Sequence, residues 1–338
     1  MKKVLCAGVL ALATGGVSLA AWAAVIGSGL PGEILGSMLA TGLTLEAGAI
    51  ASELESSPGI PVTSMQAAAC QQVTYGQDRV EGVVIFRSSS GSSHDQYNYV
   101  IVLNGHVSYN AVNLYLDGRQ VFWLGSGIGY TVRNGIGFGG IADSNTHYGP
   151  DGVAYNFGGT GHSGIYCEAR YGDQADGDYM TSLTANDPTW APDGLGNTPW
   201  VGGCTYLYLK VEYNPTVFPT IPKVRVTLNG KSDIYDPRTG TTGFTTNWAL
   251  IAADVITDPV FGLGDPTVNQ AQLIASANIC DQQVTLVNGH TESRYTTTYS
   301  YDTSASPGNV LDTMMGGAGG RISRIGGEWF IVPAYWQS

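Results

Sequence analysis

The chain has 338 residues, with 15 Lys plus Arg against 27 Asp plus Glu and a formal net charge of −12. A phosphate-gripping surface needs cations to replace the released counterions, and beyond position 3 the lysines are Lys210, Lys223 and Lys231 alone, which excludes a basic nucleic-acid binder. With 43% hydrophobic and 12% charged residues, 47 Gly and 19 Tyr, wholesale disorder is excluded too, and the composition points to a β-rich α+β protein with more than one domain.

Lys2 and Lys3 precede an uncharged stretch from Val4 to Gly32, rich in Ala, Leu, Val and Gly. Three readings are open. A basic start, an apolar middle and Ala21-Trp22-Ala23 as a small-x-small cleavage site read as a secretory signal. The uncharged length would also cross a bilayer, a reading that the glycines between Gly8 and Gly29 weaken. The third is a helix buried inside an assembly, where small residues let backbones approach closely. Helix-like apolar spacing continues through Ile34, Leu35, Met38, Leu39, Leu43, Leu45 and Ile50, and Ser56-Ser57-Pro58-Gly59 ends it. Residues 1–56 are therefore set apart from the folded body.

In the region 57–124, the run Val80–Phe86 with Val83-Val84-Ile85-Phe86 predicts a buried strand, followed by a Ser/Gly loop from Ser88 to Ser93. A second strand, Tyr97–Leu103, turns at Asn104-Gly105. Val112–Leu116 and Gln120–Trp123 flank Asp117-Gly118, a strong hairpin signal because both turn positions need positive φ. The stretch 125–203 reads as a loop-rich insertion of Gly, Asn, Asp, Pro and aromatics, with short strands such as Gly164–Cys167.

From Thr205 on, Leu207, Leu209 and Val211 alternate with Tyr206, Tyr208 and Lys210, which predicts a strand with one apolar face. Val224, Val226 and Leu228 predict the next strand, and Asn229-Gly230 a turn into Lys231–Tyr235. Asn247 is placed to cap a helix bearing Trp248, Ile251, Ala252 and Val255, stopped by Asp258-Pro259. Thr267 with Gln270 forms a capping box for a helix through Leu273, Ile274 and Ala277. Tyr295, Thr297, Tyr299 and Tyr301 alternate as a strand. Ser306-Pro307 opens a helix with Val310, Leu311, Met314 and Met315, and Arg321–Ile325 pairs with Glu328–Val332 around Gly326-Gly327. The region 204–338 thus adds strands to an antiparallel sheet or barrel and continues as an α/β sandwich of hairpins and short helices.

Cys6, Cys70, Cys167, Cys204 and Cys280 make an odd count without a CxxC pair, which implies neither a disulfide framework nor a zinc site. They read as buried thiols acting as small hydrophobes, with a Cys167–Cys204 bridge as the pairing to expect if the protein were exported. His94, His106, His147, His162 and His290 all lie beside Gly, Ser, Asn or Tyr and read as solvated surface residues. Gly161-His162-Ser163-Gly164 approaches a nucleophile elbow but has Ile165 where the last Gly belongs. Asp173, Asp176 and Asp178 lack the spacing of a calcium loop, and Gly125-Ser126-Gly127-Ile128-Gly129 lacks that of a dinucleotide fingerprint. No catalytic, metal-ligating or cofactor-binding residue is nominated, and the expectation is a non-enzyme without cofactors.

The order Tyr206–Pro215, Phe218-Pro219, Ile221-Pro222, Val224–Lys231 and Tyr235-Asp236-Pro237-Arg238-Thr239-Gly240-Thr241 resembles the tip attachment (host-specificity, protein J) family of long-tailed bacteriophages. The likeness continues through Asn247-Trp248-Ala249-Leu250, Thr257-Asp258-Pro259, Phe261-Gly262-Leu263-Gly264, Ala277-Asn278-Ile279-Cys280-Asp281 and Arg294-Tyr295. It closes with Gly319-Gly320-Arg321-Ile322, Gly326-Gly327-Glu328-Trp329 and Ala334-Tyr335. Tyr75-Gly76, Arg79-Val80, Gly82-Val83-Val84 and Tyr115-Leu116-Asp117-Gly118 are similar to the same family's first domain.

The resemblance implies a hub-type antiparallel β-barrel domain and an α/β domain in a homotrimer at the tip of a non-contractile tail. It implies contacts with distal tail or tube ring proteins, the tape measure protein and other tail-tip proteins, and a part in host attachment and genome ejection. The corresponding location is the virion, after assembly in the host cytoplasm. DNA would pass without specific binding, as an acidic chain permits. The N-terminal segment would then be a helix buried in the trimer or against the tape measure, with host-membrane contact as a further expectation. An exported β-rich surface or glycan-binding protein with a cleaved signal is the alternative.

Overall fold

The computed structural model describes residues 71–124, 131–158, 164–175, 180–191, 201–213 and 222–335. The readings made for 1–56, Cys6, Cys70, the Gly125–Gly129 run, Gly161-His162-Ser163, Asp176 and Asp178 lie outside the described residues. In chain order the described strands begin with β1 (Gln72–Tyr75), β2 (Gln77–Val80), β3 (Val83–Ser90), β4 (Gln96–Asn104), β5 (Ser108–Leu116) and β6 (Arg119–Val121). Next come β7 (Thr131–Arg133), β8 (Ile136–Phe138), β9 (Gly140–Ile141), β10 (His147–Tyr148), β11 (Ala154–Tyr155) and β12 (Ile165–Tyr171), then helix α1 (Thr181–Asn186). β13 (Thr205–Glu212), β14 (Val224–Lys231), β15 (Ile234–Asp236) and β16 (Thr241–Gly243) lead to α2 (Trp248–Thr257) and α3 (Gln270–Cys280). The chain continues with β17 (Gln283–Thr285), β18 (Thr291–Ser293), β19 (Tyr299–Asp302), α4 (Pro307–Ala318), β20 (Arg321–Ile325) and β21 (Glu328–Val332). This is a β-rich α+β protein.

Two antiparallel sheets, ordered β3-β4-β13-β12-β9 and β2-β14-β5-β6, make the first core. They share a corner, because β2, which pairs with β14 in one sheet, runs through Glu81-Gly82 into β3, which pairs with β4 in the other. The opposite seam is closed by the Trp123↔Ala142 bridge, where Leu124 N donates to Ile141 O at 2.9 Å and Asp143 N to Phe122 O at 2.9 Å. The ring of strand pairs is therefore complete, and the sheets form a closed barrel with few free edges. Gly82 permits the shared corner: a Cβ there would stand 2.3 Å from Ile101 Cγ2. Ile101, Leu103, Leu114, Leu207, Leu209 and Leu228 fill the interior, each side chain contributing about 1.5–3 kcal/mol by leaving water.

Val83-Val84-Ile85-Phe86 was expected to be buried, yet β3 is half-exposed and extends to Ser90, so the serines expected in a loop continue the strand against Gln96–Asn98. The strand expected at Gly164–Cys167 runs from Ile165 to Tyr171 and pairs along its whole length with β13. β13 itself departs from the one-sided pattern. Leu207, Leu209 and Val211 enter the barrel, while Tyr206 and Tyr208 are buried on the outer face with Val100, Met180 and Leu183. Helix α1 supplies that cover, and Trp190 meets Phe86 edge-on at 5.2 Å. A helix of one and a half turns has no stability of its own, so this burial is what holds it.

The second core lies among α2, α3, α4, β1, β19 and the β20–β21 hairpin. Asn247 caps α2 as its sequence predicts, its side chain accepting from Ala249 N and Leu250 N, and Ser306 caps α4 with Pro307 in the first turn. The capping box expected of Thr267 is not formed. Asn269 caps α3 by accepting from Gln272 N, while Thr267 turns back on Asp265. The strand expected over Tyr295–Tyr301 is confined to β19, because Thr297 N bonds Thr246 O and Thr296 bridges Asn247 in another direction. Gly326 and Gly327, at φ 62° and 94°, turn β20 into β21 as expected, and so do Asp117 and Gly118, at 50° and 80°, between β5 and β6.

Asn229-Gly230 is not a turn. β14 runs straight through it to Lys231, and the expected hairpin is replaced by a close approach of β1: Gly230 N donates to Gly76 O at 2.8 Å, and a Cβ at Gly230 would lie 2.0 Å from Thr74 O. The barrel, 77–231, is thus inserted between β1 and β15 of the helical lobe. The Cys167–Cys204 bridge is excluded as well: both thiols are free, and Cys167 sits opposite Leu209, five residues along the strand from Cys204 and so about 16 Å away.

Gly230→Ala is expected to cost about 3 kcal/mol, since its methyl meets backbone that cannot yield. Gly118→Ala, in open space at φ +80°, is expected to cost about 1 kcal/mol. Urea unfolding of the two variants checks the ranking, and equal losses would show that β1 does not press on β14.

Candidate functional site

Where the two cores meet, β14 delivers Lys231 into the interior, 4% exposed. Its Nζ lies 2.6 Å from Asp254 Oδ2, 2.5 Å from Asp258 Oδ2 and 3.7 Å from Asp233 Oδ1. Asp254 and Asp258 are four residues apart on α2 and its C-cap, hence on one face of the helix. Tyr75 of β1 donates its hydroxyl to Asp254 Oδ2 at 2.6 Å, and Tyr75 stacks on Tyr301 of β19 at 6.3 Å. Asp258 Oδ1 accepts from Val260 N at 2.7 Å and Phe261 N at 2.9 Å, which folds the turn after α2 back over the cluster.

Beside this cluster lies a neutral network. Thr74 N donates to His106 Nε2 at 3.1 Å, while His106 Nδ1 lies 3.0 Å from Val107 O, so Nδ1 carries the proton and Nε2 accepts. Thr74 Oγ1 donates to Asn104 Oδ1, Asn104 Nδ2 to Ser108 Oγ, and Thr205 Oγ1 lies 2.8 Å from Ser108 Oγ. The barrel end and β1 are thereby tied without a charge.

Burial and the Lys231 cation hold the His106 pKa down at about 4. Burial works against the Lys231 ammonium too, but the Asp254 and Asp258 carboxylates outweigh it and raise Lys231 to about 12. Burial likewise works against the Asp258 carboxylate, and Lys231 with the Phe261 and Val260 amides lowers its pKa nonetheless. Asp254 is pushed up by burial despite Lys231, and the Tyr75 phenol is pushed far up by burial and then by Asp254. The two carboxylates thus favour the charged form of Lys231. The arrangement positions charge and joins two cores.

The structure corrects the reading of His106 as solvated: the segment after β4 folds under β1 and leaves it 5% exposed. His94 and His290 are exposed, and His147 is half-buried, 2.8 Å from Asp143 Oδ1 and stacked on Phe122 at 4.0 Å. Asp173 is engaged by Arg133 through two bonds of 2.9 Å. Among the described residues, no group of three or more His, Cys, Asp or Glu is placed to hold a metal ion, and no helix is long and apolar enough to cross a membrane. Sequence reasoning missed the Lys231 cluster. Its available signals were Asp254 in the otherwise apolar run Trp248–Thr257, with Asp258 four residues on at the C-cap, and one lysine at the end of the strand Val224–Lys231.

A second polar centre lies in the helical lobe. Arg238 Nε bonds Asp236 Oδ1 at 2.9 Å, and its Nη1 reaches Asp281 Oδ2 at 2.7 Å and Asn278 Oδ1 at 3.3 Å. Asn247 Nδ2 joins the same Asp281 at 2.9 Å. Trp248 Nε1 bonds Met314 O at 2.9 Å, and its ring fills the space a Gly320 side chain would need.

No family model matches the chain, and no curated protein does. Among solved structures, a chain from the virion of a native gene transfer agent particle is similar at a TM-score of 0.41 and 13% identity, over 79% of this chain and 53% of that one. The chain thus spans about half the length of that virion chain, at a similarity too low to support a conclusion.

Lys231→Met, which leaves two buried carboxylates without their cation, is expected to cost about 3–5 kcal/mol in urea unfolding, and adding Asp254→Leu to recover part of the loss. A full-sized loss that the second change deepens would show that Lys231 acts by packing. His106 titrates lower in the folded state, so its contribution is present above its ordinary pKa of 6.5 and lost as pH falls toward about 4. His106→Gln should therefore flatten the fall of the urea midpoint between those two pH values. An unchanged slope would place the acid sensitivity elsewhere.

Proposed function

We propose that this chain is a structural virion protein, the tail-tip hub of a siphophage-like tail, which closes the tube and joins the hexameric tail to a trimeric tip. One observation carries the reading. The short motifs behind the family resemblance, dispersed from Tyr235 to Trp329, converge in space: Arg238 of the first binds Asn278 and Asp281 of another, Asn247 binds Asp281, and Trp248 packs on Gly320. Glu328 and Trp329 of the last hairpin motif also bond Asn269 and Asp265, which lie between the motifs in sequence. Motifs that hold one lobe together in this way act as a fold signature, which a chance succession of short matches would not do.

The closed barrel next to that lobe supports the hub reading further, since a ring joint needs rigid blocks that present surfaces to neighbouring copies. On this reading the chain is no enzyme, binds no cofactor, and meets tube ring proteins, the tape measure protein and other tip proteins. The acidic chain lets DNA pass during ejection without gripping it.

Antibody labelling of particles by negative-stain electron microscopy, with native mass spectrometry of the purified chain, tests the proposal. Label confined to the distal end of a tail and a trimer mass are expected. Label on a cell surface, or a monomer at all concentrations, would overturn it.

A further inference from the structure

Four Asn-Gly pairs occur in the chain, at Asn104, Asn134, Asn229 and Asn288. In such a pair the glycine carries no side chain to shield its amide, so its nitrogen can reach the asparagine Cγ. The fold holds three of the four. Asn104 is fully buried, its Oδ1 accepting from Thr74 Oγ1 and its Nδ2 bonded to Ser108 Oγ, while Gly105 N donates to Gln72 O at 2.9 Å. Asn229 is buried within β14, where its Nδ2 donates to Asn110 Oδ1 at 2.8 Å and Gly230 N is taken by Gly76 O. Asn134 is exposed at the turn between β7 and β8, but its Nδ2 donates to Tyr109 O at 3.0 Å. The strands on either side of it are fastened by the two bonds from Arg133 to Asp173 and by Phe138, which is wholly buried in the barrel.

Asn288 is not held in this way. It lies at the turn between β17 and β18, and from Gln282 to Glu292 Val284 is half-buried while every other residue is exposed. A two-stranded hairpin without a packed face is marginal in water, so its turn opens at little cost. Closed, the turn keeps Gly289 N on Leu286 O at 2.9 Å; opened, it frees that nitrogen. Asn288 Oδ1 accepts from His290 N at 3.0 Å, a bond that draws electron density from Cγ and supports the negative charge that builds on this oxygen during attack.

We propose that Asn288-Gly289 is a modification site at which the chain deamidates itself through a cyclic imide, while the other three pairs stay intact. Gly289 N bonds to Asn288 Cγ, the Cγ–Nδ2 bond breaks, and ammonia leaves with the proton that Gly289 N gives up. Water then opens the imide: addition at Cγ gives aspartate, and addition at the main-chain carbonyl gives isoaspartate. Either product puts a negative charge on a hairpin tip that has no Asp, Glu, Lys or Arg from Gln283 to Thr291. Isoaspartate also lengthens the main chain by a methylene, which the tight turn closed by Leu286 N and His290 O does not accommodate.

The test incubates the full chain in mildly alkaline buffer, folded and in parallel unfolded in urea. Trypsin then separates the four pairs into peptides 88–119, 134–170, 226–231 and 239–294, and fragment spectra distinguish Asn288 from Asn247, Asn269 and Asn278 in the last of these. In the folded chain Asn288 is expected to gain about 1 Da at close to its rate in urea, with both aspartate and isoaspartate formed, and the other three pairs to react at least about tenfold more slowly than in urea. An Asn288 protected as strongly as Asn104, or an Asn134 that reacts as fast as Asn288, overturns the selectivity. Aspartate formed without isoaspartate means direct hydrolysis of the amide and overturns the imide route.

Discussion

Lys231 is the only point at which a strand of the barrel puts a positive charge among the carboxylates of the helical lobe, within the described residues, and the two cores depend on that meeting. The ammonium is nearly dry, yet it is matched by Asp254 and Asp258 at 2.6 and 2.5 Å. Desolvating such groups costs several kcal/mol each, and the attraction offsets this only when the geometry is tight and the remaining lone pairs are used. Here they are used: Tyr75 takes Asp254, and the amides of Val260 and Phe261 take Asp258. The cluster therefore fixes one relative placement of α2, β1 and β14 in a way that a purely apolar contact, indifferent to small shifts, would not.

The features legible in the sequence are those whose causes are local. Asn247 and Ser306 cap the helices they precede, and Asp117-Gly118 and Gly326-Gly327 turn their hairpins, because each interaction closes within a few residues. Asn229-Gly230 carries an equally strong local turn signal and was overridden, since the glycine answers to Thr74 of a strand remote in sequence. β13 was read as one-sided because its tyrosines look like a wet face until α1 covers them. His106 looked solvated for the same reason, its partner being the amide of Thr74. The candidate site itself was illegible: Lys231 meets Asp254 and Asp258 across 23 and 27 positions of chain, and no window of strand or helix periodicity spans such a distance.

The two polar centres divide the work. Arg238, with its planar fork, ties the β15–β16 hairpin to the C-terminal end of α3, and Asn247 brings the start of α2 to the same aspartate. Lys231 secures the other end of α2 to the barrel. Helix α2 is thus pinned at both termini by charge while its sides are buried in hydrocarbon, an arrangement that suits a rigid block in a larger assembly.

The insertion of the barrel into the helical lobe also orders events during synthesis. β1 leaves the ribosome first among the described strands, but its partner β19 and the carboxylates that receive Lys231 are made long after the barrel's last strand is complete. The barrel can close on its own nascent chain while β1 waits, tethered at Gly76, for the lobe to be translated around it. A chain interrupted before α2 would carry the barrel strands and leave Lys231 beside Asp233 alone among its three carboxylates, without Asp254 and Asp258.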